Sequence, residues 1–384
     1  MIRIHSRANL DETVALDAVR EHYGLDGTLS PLPGERDLNF LLEIEGGVRC
    51  VVKVSSPDEA QEILEFENRM IERLAGETNG LVPGLVAARS GQTLIEHKDP
   101  AGATHRIRII EFLPGTLLAN IRPRSEALMV DIGRRMAELD SALGAVPDHP
   151  PARVNFDWAL GHAGNVMERG LALLKGEQNT LIERTLAAFR AKEPEFLGLG
   201  SQIIHGDVND HNVLVSPTEG GDYRVTGIID LGDAHSAPRA FDLAIAIAYS
   251  ILGTPDPFSA AAALTRGYHG ILPLLEQELE GTMALVGARL GQSVCIAAWR
   301  RSQGEADEYH LVTEQPAWHA LRKLASVPDT IATGILRDAC GLDACPRSKP
   351  LRKWLKTQDF SPVMDTPEDD SEIGVLDLSV ASPH

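Results

Sequence analysis

The sequence is poor in cysteine. Only four of its 384 residues are cysteine, at positions 50, 295, 340 and 345, and they form no CxxC pair and have no histidine nearby at zinc-finger spacing. Neither a disulfide framework nor a zinc-finger module is therefore expected. Free thiols are typical of cytoplasmic proteins, and the cytoplasm is the location that we expect.

Long apolar runs are also missing. The opening stretch MIRIHSRANLDETVALDAVREHYG carries charges every few positions, so no secretory leader is expected. No other run is long enough to span a bilayer, and we expect no membrane partner.

Positive charge is scarce as well. The chain has 36 lysine and arginine residues against 55 aspartate and glutamate residues, which gives a net charge of -19. This is the wrong sign for a general nucleic-acid binder or for binding to an anionic membrane surface. No nucleic-acid partner is expected, whereas a small cationic substrate fits the charge.

Several familiar enzyme motifs are absent. The sequence has no Walker GxxxxGK[ST], no GxSxG elbow, no HExxH pair and no Rossmann GxGxxG. It also has no internal repeat. What it does have is length and a 43% hydrophobic composition, enough to bury a large core and to form two or three compact units.

The first part of the chain is predicted to hold one leading helix and a sheet. The helix covers about residues 11–23, and LNFLLEIEGGVRCVVKV reads as two strands around a Gly-Gly turn. A further strand, HRIRIIEFLPG, ends in Pro-Gly. We place a hinge near Glu111 to Gly115, where the first lobe closes.

A second helix is predicted after the hairpin. Ser56 is the expected N-cap, with proline next and Glu59 three residues on, and the helix is expected to end near Gly76. Glu67 lies on the same face of this helix as its apolar residues, so its side chain is expected to be buried. A buried carboxylate needs a cationic partner. Lys53, on the preceding strand VVKV, is the partner that we predict, and a lysine held in this way can reach nucleotide phosphates.

A strongly polar stretch lies between two apolar runs, in IIHGDVNDHNVLV. His205, Asp207 and Asn212 fit HxDxxxxN, the catalytic-loop spacing of phosphoryl-transferring kinases, and IIDLGD places Asp230 at the end of the next predicted strand. Carboxylate and amide oxygens suit Mg²⁺, so Asn212 and Asp230 are the candidate metal ligands. Asp207 is the candidate catalytic residue, which orients the acceptor hydroxyl and takes its proton. His205 is expected to brace the loop.

Other candidates for the site rest on position alone. Backbone amides near Asn39 are candidates for contact with phosphate, and the hinge residues Glu111 and Leu113 are candidates for binding the base. Asn209 and Asp210 are candidates for contact with the acceptor or, as about equally good an alternative, structural polar residues. Asp233 is a candidate for contact with the metal or the substrate, with a structural role as the alternative. Three aromatic residues are candidates for lining the acceptor pocket, although packing explains them as well: Trp299, Trp318 and Tyr268.

From about Leu32 to Leu324 the sequence resembles the aminoglycoside phosphotransferase and choline kinase-like family. The resemblance rests on Lys53, Glu67, HGDVNDHN, IIDLGDA and FDLA. Within the family, the loop and GIIDLGDAHSAPRAFDLAIAIAY are most similar to the hydroxylysine kinase branch. The family implies that Asp242, in FDLA, braces the catalytic loop.

The resemblance implies an α+β, bilobal protein-kinase-like fold with a small antiparallel-sheet lobe and a larger, mainly helical lobe. We expect a nucleotide-binding lobe at about 1–113, a catalytic and acceptor-binding lobe at about 114–338, and an acidic extension at about 339–384. The ending VLDLSVASPH is similar to a linker that precedes a pyridoxal-phosphate phospho-lyase, so a covalently linked downstream phospho-lyase is a further expectation.

The expected activity is transfer of the γ-phosphate of ATP or GTP, with Mg²⁺, to the hydroxyl of a cationic amino alcohol or hydroxy amino acid. Hydroxylysine-like acceptors come first. Phosphorylation of aminoglycosides, or of choline or ethanolamine, is an alternative, and so is a non-catalytic kinase-fold module that regulates a partner domain. The choice between ATP and GTP stays open, because the hinge reads the base mainly through backbone groups.

Overall fold

The chain is described by a computed structural model that covers residues 8–34, 36–147, 156–304, 308–346, 353, 354 and 357. Two compact units are present, Met1–Leu342 and Asp343–His384. The elements below all belong to the first unit. The proposed lobe boundary near residue 113 stays a prediction, and the linker-like ending lies outside the described residues.

The leading helix, α1, covers Glu12–Tyr23, which confirms the prediction. Asp11 caps it, because its side chain accepts a hydrogen bond of 2.8 Å from the backbone N–H of Thr13. The helix buries Ala15, Ala18 and Val19 in an apolar cluster with the sheet that follows.

That sheet has six strands, all paired in antiparallel fashion, in the order β1-β2-β3-β6-β4, with β5 added to β6. The strands are β1 Gly27–Leu32, β2 Leu38–Ile44, β3 Arg49–Val54, β4 Leu85–Val86, β5 Ile95–Lys98 and β6 Thr104–Glu111. The predicted hairpin is β2 and β3. Gly46 and Gly47 form its turn with φ of 92° and 82°, a backbone region that glycine enters without steric cost.

The second helix, α2, covers Gln61–Glu77 and begins four residues later than expected. Ser56 is not its N-cap, because the first residue before the helix is Ala60 and makes no side-chain cap hydrogen bond. The Ser-Pro-Asp-Glu stretch forms a separate turn, in which the Ser56 hydroxyl accepts from the N–H of Asp58 and its carbonyl from the N–H of Glu59. Cap residues favour turns as well as helix starts, so the sequence signal was ambiguous.

The rest of the unit is mainly helical, and its apolar residues join α2 in the larger core. The helices are α3 Glu126–Gly144, α4 Ala163–Leu171, α5 Gly176–Leu197, α6 Ala240–Ser250, α7 Pro257–His269, α8 Glu276–Ser302, α9 Glu308–Ala325 and α10 Asp329–Ala339. All residues of α6 are buried, as its apolar sequence predicts. Within the described part of the chain, no helix combines the length and apolarity needed to cross a membrane.

Short strands hold the polar loop in place between the helices. They are β7 Thr116–Leu117, β8 Gln202–Ile204, β9 Val213–Pro217, β10 Tyr223–Ile228 and β11 His235–Ala237. Strand β8 ends just before His205, and β9 begins just after Asn212. The two apolar runs around the polar stretch are therefore buried strands, as predicted. Together with the larger sheet and the helices, they confirm the α+β class.

Candidate active site

The loop of residues 205–212 is fixed by its backbone. The carboxylate of Asp242, in the first turn of α6, accepts hydrogen bonds from the N–H of His205 at 2.6 Å and of Gly206 at 2.7 Å. His205 is fully buried, and its Nε2 lies 3.1 Å from the carbonyl oxygen of Ile229. This geometry is the one that the bracing roles predicted for His205 and Asp242 require.

Gly206 allows the loop to turn sharply. Its φ is 79°, and a Cβ at this position would lie 2.6 Å from the carbonyl oxygen of Asp233 and 2.9 Å from the ring of His235. A side chain has no room there, and the backbone conformation disfavours one. The glycine of HGD therefore lets the loop lie directly against the turn that follows β10.

Asp207 is held by three side chains. Oδ1 accepts a hydrogen bond of 2.6 Å from Nη2 of Arg289, and Oδ2 accepts from Nδ2 of Asn209 at 2.8 Å and of Asn212 at 3.1 Å. An ionised carboxylate offers about four lone-pair sites, so one remains for an acceptor hydroxyl. The side chain is 21% exposed, which leaves that site accessible.

Burial raises the pKa of Asp207, and the neighbouring carboxylates of Asp233 and Asp230 raise it further. The Arg289 guanidinium opposes the increase, and the pKa settles at about 8. A carboxyl group with a pKa near neutral pH is suited to exchange a proton during a reaction.

Asn212 is oriented by its amide nitrogen. Nδ2 donates to the carbonyl oxygen and to the carboxylate of Asp207, at 2.8 and 3.1 Å. Its Oδ1 accepts no hydrogen bond from the described residues, so a ligand oxygen is left over. The donor set of amide and carboxylate oxygens matches what Mg²⁺ prefers.

Asp230 lies where β10 ends, with φ of 65°, an uncommon value for a residue other than glycine. Lys53 Nζ lies 2.9 Å from its Oδ1, and this positive charge holds the pKa of Asp230 well below the usual carboxylate range. Asp230 is therefore ionised at all ordinary pH values. An ionised carboxylate that remains 52% exposed is a suitable cation ligand.

The predicted pair of Lys53 with Glu67 is wrong as a direct contact. Oε2 of Glu67 accepts a hydrogen bond of 2.8 Å from Nη2 of Arg108, and both side chains are almost fully buried. Arg108 on β6 is the cross-strand neighbour of Lys53 on β3, so two cations lie side by side on one face. Glu67 is buried as predicted, but Arg108 takes its carboxylate.

Lys53 instead faces two aspartates, Asp230 and, at 3.7 Å, Asp37. Burial works against the charge on Lys53, but these carboxylates outweigh it and raise the pKa of the ammonium group. The lysine is therefore cationic, which a phosphate anchor requires.

Two further candidates, Asn39 and Asp233, make contacts close to Lys53 and Asp230. Asn39 pairs with Lys53 across β2 and β3, and its Nδ2 donates to the carbonyl oxygen of Pro33 at 3.0 Å. Asp233 forms an ion pair with Arg36, which precedes β2. This ion pair joins the loop before β2 to the turn after β10, on either side of Lys53 and Asp230.

The hinge candidates lie at the end of β6. The backbone N–H of Glu111 donates to the carbonyl oxygen of Gly84 at 2.9 Å, and the Glu111 carboxylate accepts from the Gly84 N–H at 3.0 Å. Leu113 faces Gly227, whose missing side chain makes room for it. Binding of the base by Glu111 and Leu113 stays a prediction.

All three acceptor candidates already have partners, since Asp233 is paired with Arg36. Asn209 donates to Asp207 and accepts from the N–H of His211 at 2.8 Å, so it orients the loop. Asp210 is 4% exposed and lies 2.7 Å from Nη2 of the buried Arg124. The geometry favours structural roles for both, and direct contact with an acceptor stays a prediction.

Arg289 was missed by sequence reasoning. It lies in α8 and is 1% exposed, with its guanidinium 4.8 Å from the ring centroid of Trp158 and 5.5 Å from that of Tyr249. The only available signal was an arginine within the apolar run MALVGARLG. Trp158 and Tyr249 are thus aromatic residues that lie against Arg289, the partner of Asp207. Tyr268 and Trp318 are buried instead and donate hydrogen bonds to Asp140 and Glu314.

This fold and this loop define a phosphotransferase with the architecture of protein kinases. The chain belongs to the APH family, described as a phosphotransferase enzyme family, whose model matches residues 28–282. It is a kinase that acts on a hydroxyl group.

Its curated relatives include hydroxylysine kinases. The protein from Xenopus laevis is 28% identical over 344 residues, which cover 83% of this chain and 91% of the relative. The protein from Danio rerio is 29% identical over 334 residues, which cover 83% of this chain and 92% of the relative. Among solved structures, a microcompartment-associated aminopropanol kinase is similar with a TM-score of 0.60 at 19% identity, covering 86% of this chain and 99% of that chain.

Proposed function

We propose that this kinase transfers the γ-phosphate of a nucleoside triphosphate to the hydroxyl of a cationic hydroxy amino acid. Hydroxylysine-like compounds are the first candidates. The observation that carries the chemistry is the hydrogen bond between Asn212 and Asp207, 3.1 Å long, next to the ion pair of Lys53 and Asp230. A candidate base, two candidate metal ligands and a candidate phosphate anchor thus belong to one site.

In the proposed reaction, the acceptor oxygen forms a bond to the γ-phosphorus, and the bond from that phosphorus to the bridging oxygen of the nucleoside diphosphate breaks. The acceptor proton passes to the carboxylate of Asp207. Because the transition state of phosphoryl transfer is loose, Asp207 acts mainly by aiming the hydroxyl. Arg289, Asn209 and Asn212 each hold the carboxylate in place for this task.

Lys53 is proposed to hold the nucleotide phosphates. It is cationic and already faces carboxylates, so it exchanges one set of anionic oxygens for another when the nucleotide binds. Mg²⁺, held by Asn212 and Asp230, would neutralise phosphate charge at this position. The free amide oxygen of Asn212 and the ionised carboxylate of Asp230 support this assignment.

The acceptor class rests on charge and on the relatives. The chain has a net charge of -19, which favours cationic substrates without choosing among them. Two relatives named hydroxylysine kinase align over more than nine-tenths of their own length. Amino alcohols without a carboxylate and aminoglycosides remain the competing acceptors.

A coupled assay of nucleoside diphosphate release tests the proposal. We would compare hydroxylysine, homoserine, threonine, ethanolamine, choline and kanamycin, each with ATP and with GTP. The proposal expects the highest kcat/KM for hydroxylysine with one of the two nucleotides. A higher kcat/KM for kanamycin, choline or ethanolamine than for hydroxylysine would mean that the proposed acceptor class is wrong. Nucleotide binding without turnover of any acceptor would support a regulatory module instead.

A further inference from the structure

A cluster of two histidines and one glutamate lies outside the residues assigned to phosphate transfer. His22 is in the last turn of α1, Glu21 precedes it, and His97 is on β5. Their side-chain ligand atoms lie within 4.8 Å of one another. We propose that Glu21, His22 and His97 form a binding site for a divalent transition-metal ion of the Zn²⁺ type.

The distance between the two rings fits a shared ion. Nε2 of His22 lies 3.4 Å from Nδ1 of His97. At a zinc–nitrogen distance of about 2.0–2.1 Å, two nitrogens at this separation subtend about 110° at the ion, which is close to the tetrahedral angle. The ring planes are nearly perpendicular, at 87°, and Nε2 of His22 and Nδ1 of His97 are the ring atoms that face each other.

A direct hydrogen bond between the rings explains the same contact less well. Hydrogen bonds from N–H groups to oxygen are usually about 2.7–3.2 Å long, so a ring-to-ring hydrogen bond of 3.4 Å would be a long and weak one. A third group also faces both nitrogens, since the Glu21 carboxylate lies 4.0 Å from His22 Nε2 and 3.8 Å from His97 Nδ1. A hydrogen bond between two imidazoles does not require this carboxylate.

The two histidines differ in how firmly they are held, and the glutamate is the adjustable ligand. The side chain of His97 is 12% exposed and that of His22 is 27% exposed, whereas that of Glu21 is 66% exposed. The carboxylate is therefore free to make the shift of about half an ångström or more that direct ligation needs. Three protein ligands leave a fourth position open to water.

The site joins two elements that are distant in sequence. Strand β5 lies at the sheet margin and pairs only with β6 among the described strands. Ile95, two residues before His97, lies in the apolar cluster that also contains Ala18 and Val19 of α1. A bound ion therefore extends this apolar contact and fastens the end of α1 to the edge strand.

The ligand types select the ion. Imidazole nitrogens favour Zn²⁺, Co²⁺, Ni²⁺ or Cu²⁺, whereas Mg²⁺ prefers oxygen ligands. The site therefore binds its ion in the presence of the Mg²⁺ that a kinase uses. This difference also separates it from Asn212 and Asp230, whose ligand atoms are oxygens.

Calorimetric titration of the full chain with Zn²⁺, after treatment with a chelator and in about millimolar Mg²⁺, tests the proposal. We expect about one equivalent of Zn²⁺ to bind and the Tm to rise by roughly 2–4 °C. His22→Asn and His97→Asn should each weaken binding at least about tenfold, as loss of a ligand does. His319→Asn, on the exposed face of α9, and Cys345→Ser should bind as the unchanged protein does.

Two results would overturn the site. One is the absence of a bound equivalent, or its complete displacement by Mg²⁺. The other is an equivalent that persists in the His22→Asn/His97→Asn double variant. If the histidine variants fail to fold in chelator, the Zn²⁺ affinity of the Glu21→Gln variant is measured instead, because Glu21 is exposed. A Glu21→Gln variant with unchanged Zn²⁺ affinity would also overturn the site.

Discussion

Nη2 of Arg289 lies 2.6 Å from Oδ1 of Asp207, and the arginine is 1% exposed. A buried arginine next to the candidate catalytic carboxylate does two things: it fixes the direction of the side chain, and it stabilises the ionised form. Without it, burial and two neighbouring aspartates would raise the pKa of Asp207 further. The tuning of Asp207 therefore depends on a residue 82 positions away in sequence.

Arg289→Met should lower kcat/KM by about 10²-fold or more and move the acid limb of its pH profile to higher pH. The sign follows from the charge: losing the guanidinium raises the pKa of Asp207, and the ionised carboxylate is the active form. Rates measured across about pH 5–10 check the shift. Arg289→Lys should shift the limb less, and Arg184→Met, at an exposed position, should not shift it. If Arg289→Met lowers kcat/KM at every pH but leaves the acid limb at the same pH, the arginine has a packing role only.

Lys53→Met should weaken nucleotide binding by about tenfold or more, because the phosphates lose their cationic anchor. The pKa of Asp230 should rise at the same time, since Lys53 is the main cause of its low value. Titration calorimetry with ATP and GTP measures the affinity, and Lys175→Met at an exposed position is the matched control. Unchanged nucleotide affinity would show that Lys53 does not contact the phosphates.

Glu67→Gln should destabilise the fold by about 3–5 kcal/mol, because it leaves the buried charge of Arg108 without its ionic partner. Urea denaturation measures the change, and Glu72→Gln, exposed on the same helix, should be within about 0.5 kcal/mol of the unchanged protein. The Glu67→Leu/Arg108→Leu double variant should recover part of the loss. A double variant that is less stable than Glu67→Gln would argue against a simple pair.

The strand pairing around Lys53 shows which contacts of the site can be predicted from the sequence and which cannot. Periodicity was enough to place Glu67 in a buried stripe and to require a cation for it. The choice between Lys53 and Arg108 depends on which strand pairs with β3, and that register arises from contacts between segments 55 residues apart, from Lys53 to Arg108. Local patterns carry no such information.

The loop itself was the most predictable part of the site. Its polar residues stand between two short apolar strands, so spacing alone placed His205, Asp207 and Asn212 together. Arg289 could not be found in this way, because a single arginine in a helix gives no sign of the direction it faces in the folded chain. The helix start after Ser56 was misplaced for a related reason, since the same residues stabilise a turn.

Gly206→Ala should lower kcat by about tenfold or more, because a Cβ at this position would lie 2.6 Å from the carbonyl oxygen of Asp233. The loop must shift to relieve the contact, and misaligned groups lose catalytic rate. Steady-state kinetics with circular dichroism as a check on folding measure the effect. Gly220→Ala, where the nearest atom is 3.9 Å away, is the control. Equal rates in the two variants would mean that the loop tolerates the displacement.

The phosphate-transfer rate of Asp207→Asn is the most direct measurement of the central claim. We expect kcat to fall by about 10²–10⁴-fold while the Kd for the nucleotide changes by less than about threefold, because Asp207 is assigned to the acceptor and not to the nucleotide. Asp338→Asn, exposed on α10, should retain the original rate. An Asp207→Asn variant that keeps full activity would contradict the assignment of Asp207 as the residue that orients and deprotonates the acceptor.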